Sequence, residues 1–315
     1  MQINHKKKLK IGLFFTNTNR DYNKSAASTW IRIWQMIDIY KQLGARVFVN
    51  NPLIRYDVAI VFRKPKRKYY NIIRFLKLIS KKVYFDTCIN IFEINQEIGE
   101  ERLKYALKIG GKVDGIICAS KRIAQLSENY TKSVYVFEDP VNIEHFCKFK
   151  SEINFDSPKF GWSGVGKKAQ FLNKYKSIIN DNIVLISEEG IFESNIQFKY
   201  DYVRWRYETF PDDLLCCDIA LLPRDIDSNY NQGHSAFKAL VFAVSGIPII
   251  ANKVPSYVDL SNYYESIVFL EDFNEDVYKC IEELRYRSRD TQKLKDHYSR
   301  ENQANMLLNY FSNHI

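Results

Sequence analysis

The sequence predicts an α/β protein made of two doubly wound, parallel-sheet domains. Short apolar runs recur along its 315 residues, and helical stretches separate many of them. Strands that alternate with helices are typical of parallel sheets with right-handed crossovers. The pattern begins again after a polar segment, 148–158, that ends in proline. We therefore predict one domain over residues 1–150, a second over 151–298, and a C-terminal helix over 299–315 that could pack back on the first domain.

The first half contains six predicted strands. They are expected at Lys10–Phe15, Val47–Asn50, Val58–Phe62, Lys82–Phe85, Gly115–Ala119 and Val134–Phe137. Apolar residues at helical spacing predict a helix over 25–43, and Gly44 is expected to end it with a positive φ. Two more helices are predicted, over Tyr70–Ser80 and Lys121–Tyr130.

The second half repeats this order of elements. Strands are expected at Lys159–Trp162, Val184–Ser187, Val203–Trp205, Asp218–Leu222, Pro248–Ala251 and Ile267–Phe269. Helices are predicted over Lys168–Ile178 and Ser235–Val244. Ligands of such sheets bind beyond the carboxyl ends of the strands.

Positive charge is concentrated in the first half. Residues 1–150 carry 28 Lys and Arg against 13 Asp and Glu, a net charge of +15, whereas residues 151–315 carry 18 against 24, a net charge of −6. A basic face suits the phosphates of a membrane surface or of an acceptor, and a solvated lysine-rich surface is the alternative. The local candidate for a contact with an anionic membrane is 64–68, with Tyr69 and Tyr70. No nucleic-acid motif is present, so no nucleic-acid partner is predicted.

The sequence contains no run of about 18 apolar residues and no signal-peptide pattern. Its six cysteines form no CxxC pair. These patterns predict a cytoplasmic protein, with peripheral attachment to the inner membrane face as an option.

Three segments together resemble a known enzyme family. Residues 113–146 contain VDGIICASKRIAQL and VYVFEDPVNIEHF, residues 160–172 read FGWSGVGKKAQFL, and residues 217–259 begin CDIALLPRDIDSNYNQGHSAFKAL. In order and spacing they resemble the GT-B glycosyltransferases of glycosyltransferase family 4 (glycosyl transferases group 1). The resemblance covers about half of the chain.

This resemblance implies the GT-B fold, in which two Rossmann-like domains face a central cleft. It implies that 1–150 binds the acceptor and 151–298 the nucleotide-sugar. The expected activity is that of a hexosyltransferase-like glycosyltransferase acting on a cell-surface glycan or a lipid-linked acceptor in polysaccharide biosynthesis. Transfer is expected with retention and without a metal or other cofactor.

One departure from the family pattern concerns two glutamates with seven residues between them. Their positions hold Gly233 and Val241 here, while Lys238 occupies a place where some relatives also have lysine. The alternative interpretation is therefore a non-catalytic GT-B partner subunit, or a transferase of an unusual activated group.

Donor-binding residues are expected around the glycine loop 163–166 and in the third segment. Glycines let backbone N–H groups approach an anion, and lysines can stabilise a departing diphosphate. Plain turn glycines and solvated lysines are the alternative. The predicted donor-binding residues are Ser163, Gly164, Gly166, Lys168, Arg224, Gly233, His234, Ser235 and Lys238, and the predicted catalytic residues are Asp86, Lys167 and Lys238.

Acceptor-binding residues are expected at the carboxyl ends of the first strands. Thr16 and Asn17 follow the first strand, Arg32 lies on the first helix, and Asn90 follows the fourth strand. Asp86 could orient or deprotonate an acceptor hydroxyl, or it could cap a turn. Asp225 and Asp227 form the sole DxD-like triplet, and no metal site is predicted there.

Overall fold

The structure is a computed structural model that describes residues 8–16, 19–24, 26–62, 64–270 and 277–315. Its strands form two six-stranded sheets in which all neighbouring strands are parallel. The predicted two-sheet α/β fold is thereby confirmed. The chain divides into two compact units: unit 1 is Met1–Pro140, Gln232–Ser235 and Tyr298–Ile315, and unit 2 is Val141–Asn231 and Ala236–His297.

The strands follow the apolar runs. In unit 1 they are β1 Lys10–Phe14, β2 Arg46–Val49, β3 Tyr56–Phe62, β4 Ser80–Thr87, β5 Gly115–Cys118 and β6 Val134–Val136, in the order β2-β1-β3-β4-β5-β6. In unit 2 they are β7 Phe160–Ser163, β8 Ile183–Ser187, β9 Asp201–Arg204, β10 Ile219–Leu222, β11 Ile249–Asn252 and β12 Ile267–Leu270, in the order β12-β11-β10-β7-β8-β9.

The helices pack around these sheets. They are α1 Ala27–Arg32, α2 Ile37–Gln42, α3 Arg67–Ile79, α4 Glu100–Gly110, α5 Lys121–Ser127, α6 Lys176–Ile179, α7 Phe210–Leu214, α8 Asn229–Gln232, α9 Phe237–Val244, α10 Pro255–Ser261, α11 Val277–Arg285, α12 Gln292–Tyr298 and α13 Arg300–His314. Segments of 3-10 helix cover Tyr22–Lys24, Trp34–Met36, Gly166–Tyr175 and Glu189–Glu193. None of the described helices is both long and apolar enough to cross a bilayer.

Two predicted helices differ from the structure. The helix expected over 25–43 is interrupted at Ile33, whose ψ of −68° departs from regular α-helix, and a 3-10 turn separates α1 from α2. The helix expected over 168–178 is a 3-10 segment that becomes α-helical at Lys176. The predicted positive φ of Gly44 is confirmed at 92°.

The core of unit 1 has two halves, one on each face of its sheet. Alternate residues of β3 point to opposite faces, so Val58 and Ile60 enter one cluster while Ala59 and Val61 enter the other. The first cluster is completed by side chains of α2 and α13 and the second by side chains of α3 and α4. The described part of α13 therefore belongs to the core of unit 1.

The sheet of unit 2 has a topological switch point. The chain proceeds from β7 through β8 to β9 on one side and returns to the other side of β7 with β10. Ligands of open α/β sheets bind outside the carboxyl ends of the strands at such a point. Here β7 leads into the glycine loop, 163–166, and β10 leads to Arg224.

Candidate functional site

The glycine loop after β7 is held by bonds to its own unit. The N–H of Gly164 donates to the carbonyl of Ile186 over 3.2 Å, and the N–H of Gly166 donates to Oε1 of Glu188 over 2.9 Å. The Ser187 hydroxyl donates to the carbonyl of Gly164. Both glycine N–H groups therefore have protein acceptors, which argues against the predicted cradle of backbone N–H groups around a phosphate.

Gly164 has a different role, because it makes space for Lys238. A methyl group on Gly164 would lie 2.6 Å from Nζ of Lys238 and 2.8 Å from the ring of Trp162. The ammonium group of Lys238 lies 4.6 Å from the centre of the Trp162 ring, within cation–π range. The absence of a side chain at Gly164 thus lets α9 bring its lysine onto the end of β7.

Lys238 is a half-buried lysine whose surroundings are positively charged. Burial and the charges of Arg224 and Lys168 hold the pKa of Lys238 well below its ordinary value. Among the residues that the structure describes, no carboxylate lies within ion-pair distance of Lys238 or Arg224. We call Lys168, Arg224 and Lys238 the cationic cluster.

Neutral groups orient Arg224. Its backbone N–H donates to Oδ1 of the buried Asn252 over 2.7 Å. Its guanidinium reaches Oδ1 of Asn231 over 3.3 Å and the hydroxyl of Tyr257 over 3.4 Å. Because these partners carry no charge, they position the guanidinium without neutralising it.

Lys168, rather than its neighbour Lys167, belongs to the cluster. The Lys168 ammonium lies 4.9 Å from the centre of the Tyr230 ring. Lys167 instead pairs with Glu193 over 2.8 Å, and both of these side chains are largely exposed. The catalytic role predicted for Lys167 therefore finds no support in its position.

Unit 1 contains a buried polar network around Arg32. The guanidinium donates from Nε and Nη2 to Asp86 and from Nη1 to Asp139 over 2.6 Å and to the carbonyl of Phe137. Burial opposes the charge of Arg32, but the two carboxylates outweigh it and raise the pKa of Arg32. The second oxygen of Asp139 accepts the Ser235 hydroxyl over 2.6 Å.

This network changes the role expected for Asp86. The carboxylate is 3% exposed and is engaged bidentately by Arg32, so its oxygens are turned to a neighbouring cation rather than to solvent. Such a carboxylate does not fit the predicted base for an acceptor hydroxyl. Asp86 and Arg32 instead fix the geometry at the carboxyl end of β4.

The segment 232–235 also packs within unit 1. The carbonyl of Gly233 accepts the Ser120 hydroxyl over 3.1 Å, and a methyl group on Gly233 would lie 2.7 Å from Cβ of Asn90. The half-buried His234 lies between this contact and Ser235. By these contacts Gly233, His234 and Ser235 belong to unit 1, whereas the residues of the cationic cluster belong to unit 2.

Thr16 and Asn90 were also predicted to bind the acceptor, and their surroundings differ from one another. Thr16 is exposed just beyond β1. Asn90 is fully buried, where its amide donates to Glu93 and accepts the N–H of Phe92. Asn17 lies outside the described residues. Ser163 is buried at the end of β7, beside the loop.

Four residues that were not predicted from the sequence help to build these sites. Trp162 and Tyr230 provide rings for Lys238 and Lys168, Asn252 positions Arg224, and Asp139 joins Arg32 to Ser235. Asn252 is the polar last residue of the otherwise apolar strand β11, and that position is a usable signal for a site residue. Asp139 comes after Glu138 beyond β6, so its position gives no comparable signal.

In the ranges that the structure describes, no group of three or more His, Cys, Asp or Glu side chains could hold a metal ion. Asp225 and Asp227 are exposed, and Oδ1 of Asp225 accepts the N–H of Asp227 as in an ordinary turn.

A test of Gly164 follows from its contact with Lys238. If the nucleotide-sugar expected from the sequence binds at Lys238, Gly164→Ala should displace the ammonium group and the Trp162 ring and weaken the binding of its nucleoside diphosphate about tenfold. Gly99→Ala is the matched control, because a methyl group there would meet nothing within 4 Å. Calorimetric titration measures both; equal affinity in the two variants would contradict this account of Gly164.

Comparison with known proteins finds similarity in structure alone. No family model and no curated protein sequence matches the chain. Among solved structures, it is similar to AviGT4, a glycosyltransferase involved in avilamycin A biosynthesis, with 10% identity, a TM-score of 0.64, and coverage of 96% of this chain and 97% of AviGT4.

Two further structures are complexes with UDP. HepE from Anabaena, bound to UDP and glucose, has 11% identity, a TM-score of 0.64, and coverage of 97% of this chain and 100% of HepE. An α-glucosyltransferase bound to UDP and a 13-mer DNA has 13% identity, a TM-score of 0.61, and coverage of 97% and 100%. The chain therefore has the two-domain α/β fold of these proteins, the GT-B fold.

Proposed function

We propose that the protein is a glycosyltransferase that uses a nucleotide-sugar, and that the cationic cluster binds the donor's diphosphate. The observation that carries this proposal is that Lys238 lies against the glycine loop after β7 and within electrostatic range of Lys168 and of Arg224, which follows β10. Among the described residues, no carboxylate pairs with Lys238 or Arg224. Cations held together in this way attract a polyanion. The UDP present in two structures of the same fold supports a diphosphate as that polyanion.

The cluster suits the charge that develops during sugar transfer. When the bond between the anomeric carbon and the β-phosphate oxygen breaks, negative charge accumulates on the leaving diphosphate. Lys238 and Arg224 are positioned before the reaction, so they stabilise that charge without reorganising. Basic side chains would then do the work that a metal ion does elsewhere, and this metal-independent reaction is part of the proposal.

Retention of anomeric configuration and the acceptor class rest on the family resemblance. In a retaining transfer without a protein nucleophile, an oxygen of the leaving phosphate takes the proton of the acceptor hydroxyl. We propose a cell-surface glycan or a lipid-linked precursor as acceptor, bound by unit 1 on the cytoplasmic side. The exposed Thr16 is a candidate contact.

A second candidate function is supported by the two positions where the family has glutamates. Val241 is 1% exposed within α9, and Gly233 is packed against Asn90, so neither position offers a carboxylate to a donor ribose or sugar. A non-catalytic GT-B subunit would not need these two carboxylates, and neither would a transferase of an unusual activated group. Slow hydrolysis of a nucleotide-sugar by the pure protein would favour catalysis, and its absence with every donor would favour the non-catalytic subunit.

Thermal unfolding in the presence of UDP, GDP, CDP, ADP and their sugars tests the proposed donor site. One nucleotide is expected to raise the Tm, because a ligand that binds only the folded state stabilises it. The shift should persist in EDTA if no metal bridges the diphosphate. The absence of any shift across the panel would count against a nucleotide-sugar donor.

The depressed pKa of Lys238 makes nucleotide binding depend on pH. The free protein disfavours the charged lysine, whereas a bound diphosphate favours it and raises its pKa. Between the two pKa values, binding takes up a proton, so Kd should increase with pH by up to about tenfold per pH unit. Titration calorimetry in buffers of different ionisation enthalpy measures this proton uptake.

Lys238→Arg provides the control for that measurement. Arginine stays protonated throughout the accessible pH range, so the variant should bind without proton uptake at position 238. The same proton uptake in the variant and in the unmodified protein would contradict the assignment to Lys238.

A further inference from the structure

One face of α3 combines exposed apolar side chains with cations. Arg67, Arg74 and Leu78 recur at helical spacing and lie along one line of the helix, with Lys68 and Phe75 beside them. Leu78 is 81% exposed and Phe75 is 46% exposed. We call these five residues the α3 face.

The orientation of this face is fixed by the opposite side of the helix. Ile73 and Leu76 are fully buried in the core of unit 1, where they pack with residues of β3, β4 and α4. Tyr69 and Tyr70 also pack against that core. Phe75 and Leu78 therefore cannot turn inward without removing Ile73 and Leu76 from their places.

The charge of the face is uncompensated within its unit. The helix contains no acidic residue, and none of Arg67, Lys68 and Arg74 forms an ion pair with any residue in the described ranges. Neighbouring lysines differ in this respect, since Lys64 pairs with Glu97 and Lys77 with Asp114. Carboxylates are thus available in this unit, but they pair with lysines that are not part of the α3 face.

We propose that the α3 face docks on an anionic lipid bilayer. Arg67, Lys68 and Arg74 would lie at the lipid phosphates, while Phe75 and Leu78 enter the boundary between headgroups and acyl chains. Cations that flank exposed apolar side chains on one helix face are the features of an interfacial helix. A nucleic acid also offers phosphates to the cations, but it can bury an aliphatic side chain such as Leu78 only by unstacking its bases, which costs a few kcal/mol, so the combination favours lipid.

Co-sedimentation with vesicles tests this proposal on the whole protein. Binding is expected to vesicles of phosphatidylcholine mixed with phosphatidylglycerol, and to be much weaker with phosphatidylcholine alone. The triple variant Arg67→Gln, Lys68→Gln, Arg74→Gln should bind the anionic vesicles about 100-fold more weakly, because each cation near such a surface contributes about a factor of five. The double variant Phe75→Ser, Leu78→Ser should lose the binding that remains at high salt.

Matched variants control for net charge and for exposed apolar area. Lys176, Lys279 and Lys293 are exposed lysines of unit 2, and their triple glutamine variant carries the same net charge as the α3 variant. Leu53 is 91% exposed outside α3, so Leu53→Ser controls for loss of an exposed leucine. Both controls should bind vesicles like the unmodified protein. An unchanged nucleotide-dependent Tm shift in all variants would show that the donor site is intact, which separates this proposal from the proposed activity.

Three results would overturn the membrane proposal. The first is that the unmodified protein does not bind anionic vesicles. The second is that the unit 2 triple variant loses as much binding as the α3 variant. The third is that binding to polyglutamate matches binding to vesicles and is insensitive to Phe75→Ser, Leu78→Ser, which would assign the face to an acidic protein.

Discussion

Lys238→Met is expected to raise the Tm of the unliganded protein and to abolish most of its stabilisation by a nucleoside diphosphate. The folded protein lowers the pKa of Lys238, so at neutral pH it disfavours the charged form that the unfolded chain carries freely. That penalty is present below the ordinary lysine pKa and disappears above it. Methionine keeps the contact with Trp162 and removes the penalty.

The loss of binding should be large, because a bound diphosphate would be the counter-ion of this half-buried lysine, which pairs with no carboxylate in the described ranges. Truncating one partner of a buried charge pair typically costs about 3 kcal/mol, or about 100-fold in Kd. Thermal unfolding with and without nucleotide measures both effects in one experiment. An unliganded variant less stable than the unmodified protein would contradict the repulsion that we describe around Lys238.

Lys167→Met is the matched control for this prediction. Lys167 follows the same glycine loop, but it is exposed and paired with Glu193. Its replacement should change neither stability nor nucleotide affinity by more than a small amount. If Lys167→Met removed the nucleotide shift and Lys238→Met did not, the two lysines would have to exchange the roles assigned to them.

Asp86→Ala is expected to destabilise the protein by about 3 to 5 kcal/mol, because it leaves the buried Arg32 with one of its two carboxylates. Asp139 remains bonded to Nη1, but Nε and Nη2 lose their acceptors. Denaturant unfolding followed by circular dichroism measures the effect. If Asp86 were instead a catalytic base, its replacement would be expected to abolish activity and to leave the stability of the protein unchanged.

Asp38→Ala provides the comparison for this second prediction. Asp38 pairs with Lys41 on the surface of α2, where both side chains are more than half exposed. Exposed pairs of this kind contribute at most about 1 kcal/mol. Similar stability of the Asp86 and Asp38 variants would show that Arg32 does not depend on Asp86.

The strands were predictable from the sequence because each is a short apolar run between polar or glycine-containing segments. Every strand in the described ranges lies within two residues of its predicted position. Helices were less predictable. The helix α4 was not predicted, because its buried positions are Ala106, Ile109 and Gly110, so its apolar periodicity is weak.

The candidate sites were predictable in part. Arg224, Lys168 and Lys238 were all selected, but the sequence could not show which of two adjacent lysines turns toward the cluster, because a 3-10 turn decides it. The pairing of Arg32 with Asp86 joins residues 54 positions apart, and a residue type at the end of a strand does not reveal such a partner. The hydrogen bond from the Gly166 N–H to Glu188 also joins residues that are distant in sequence, so it could not be predicted either.

The packing of α13 has a consequence for the order in which the protein can fold during synthesis. Leu307 and Phe311 lie in the same core as Met36 and Tyr40, and the Tyr298 hydroxyl donates to Glu138. Residues 298–315 leave the ribosome only after the whole of unit 2. Unit 2 can therefore close while unit 1 still exposes part of its core, and the unit whose sheet is translated first is the second to complete its core.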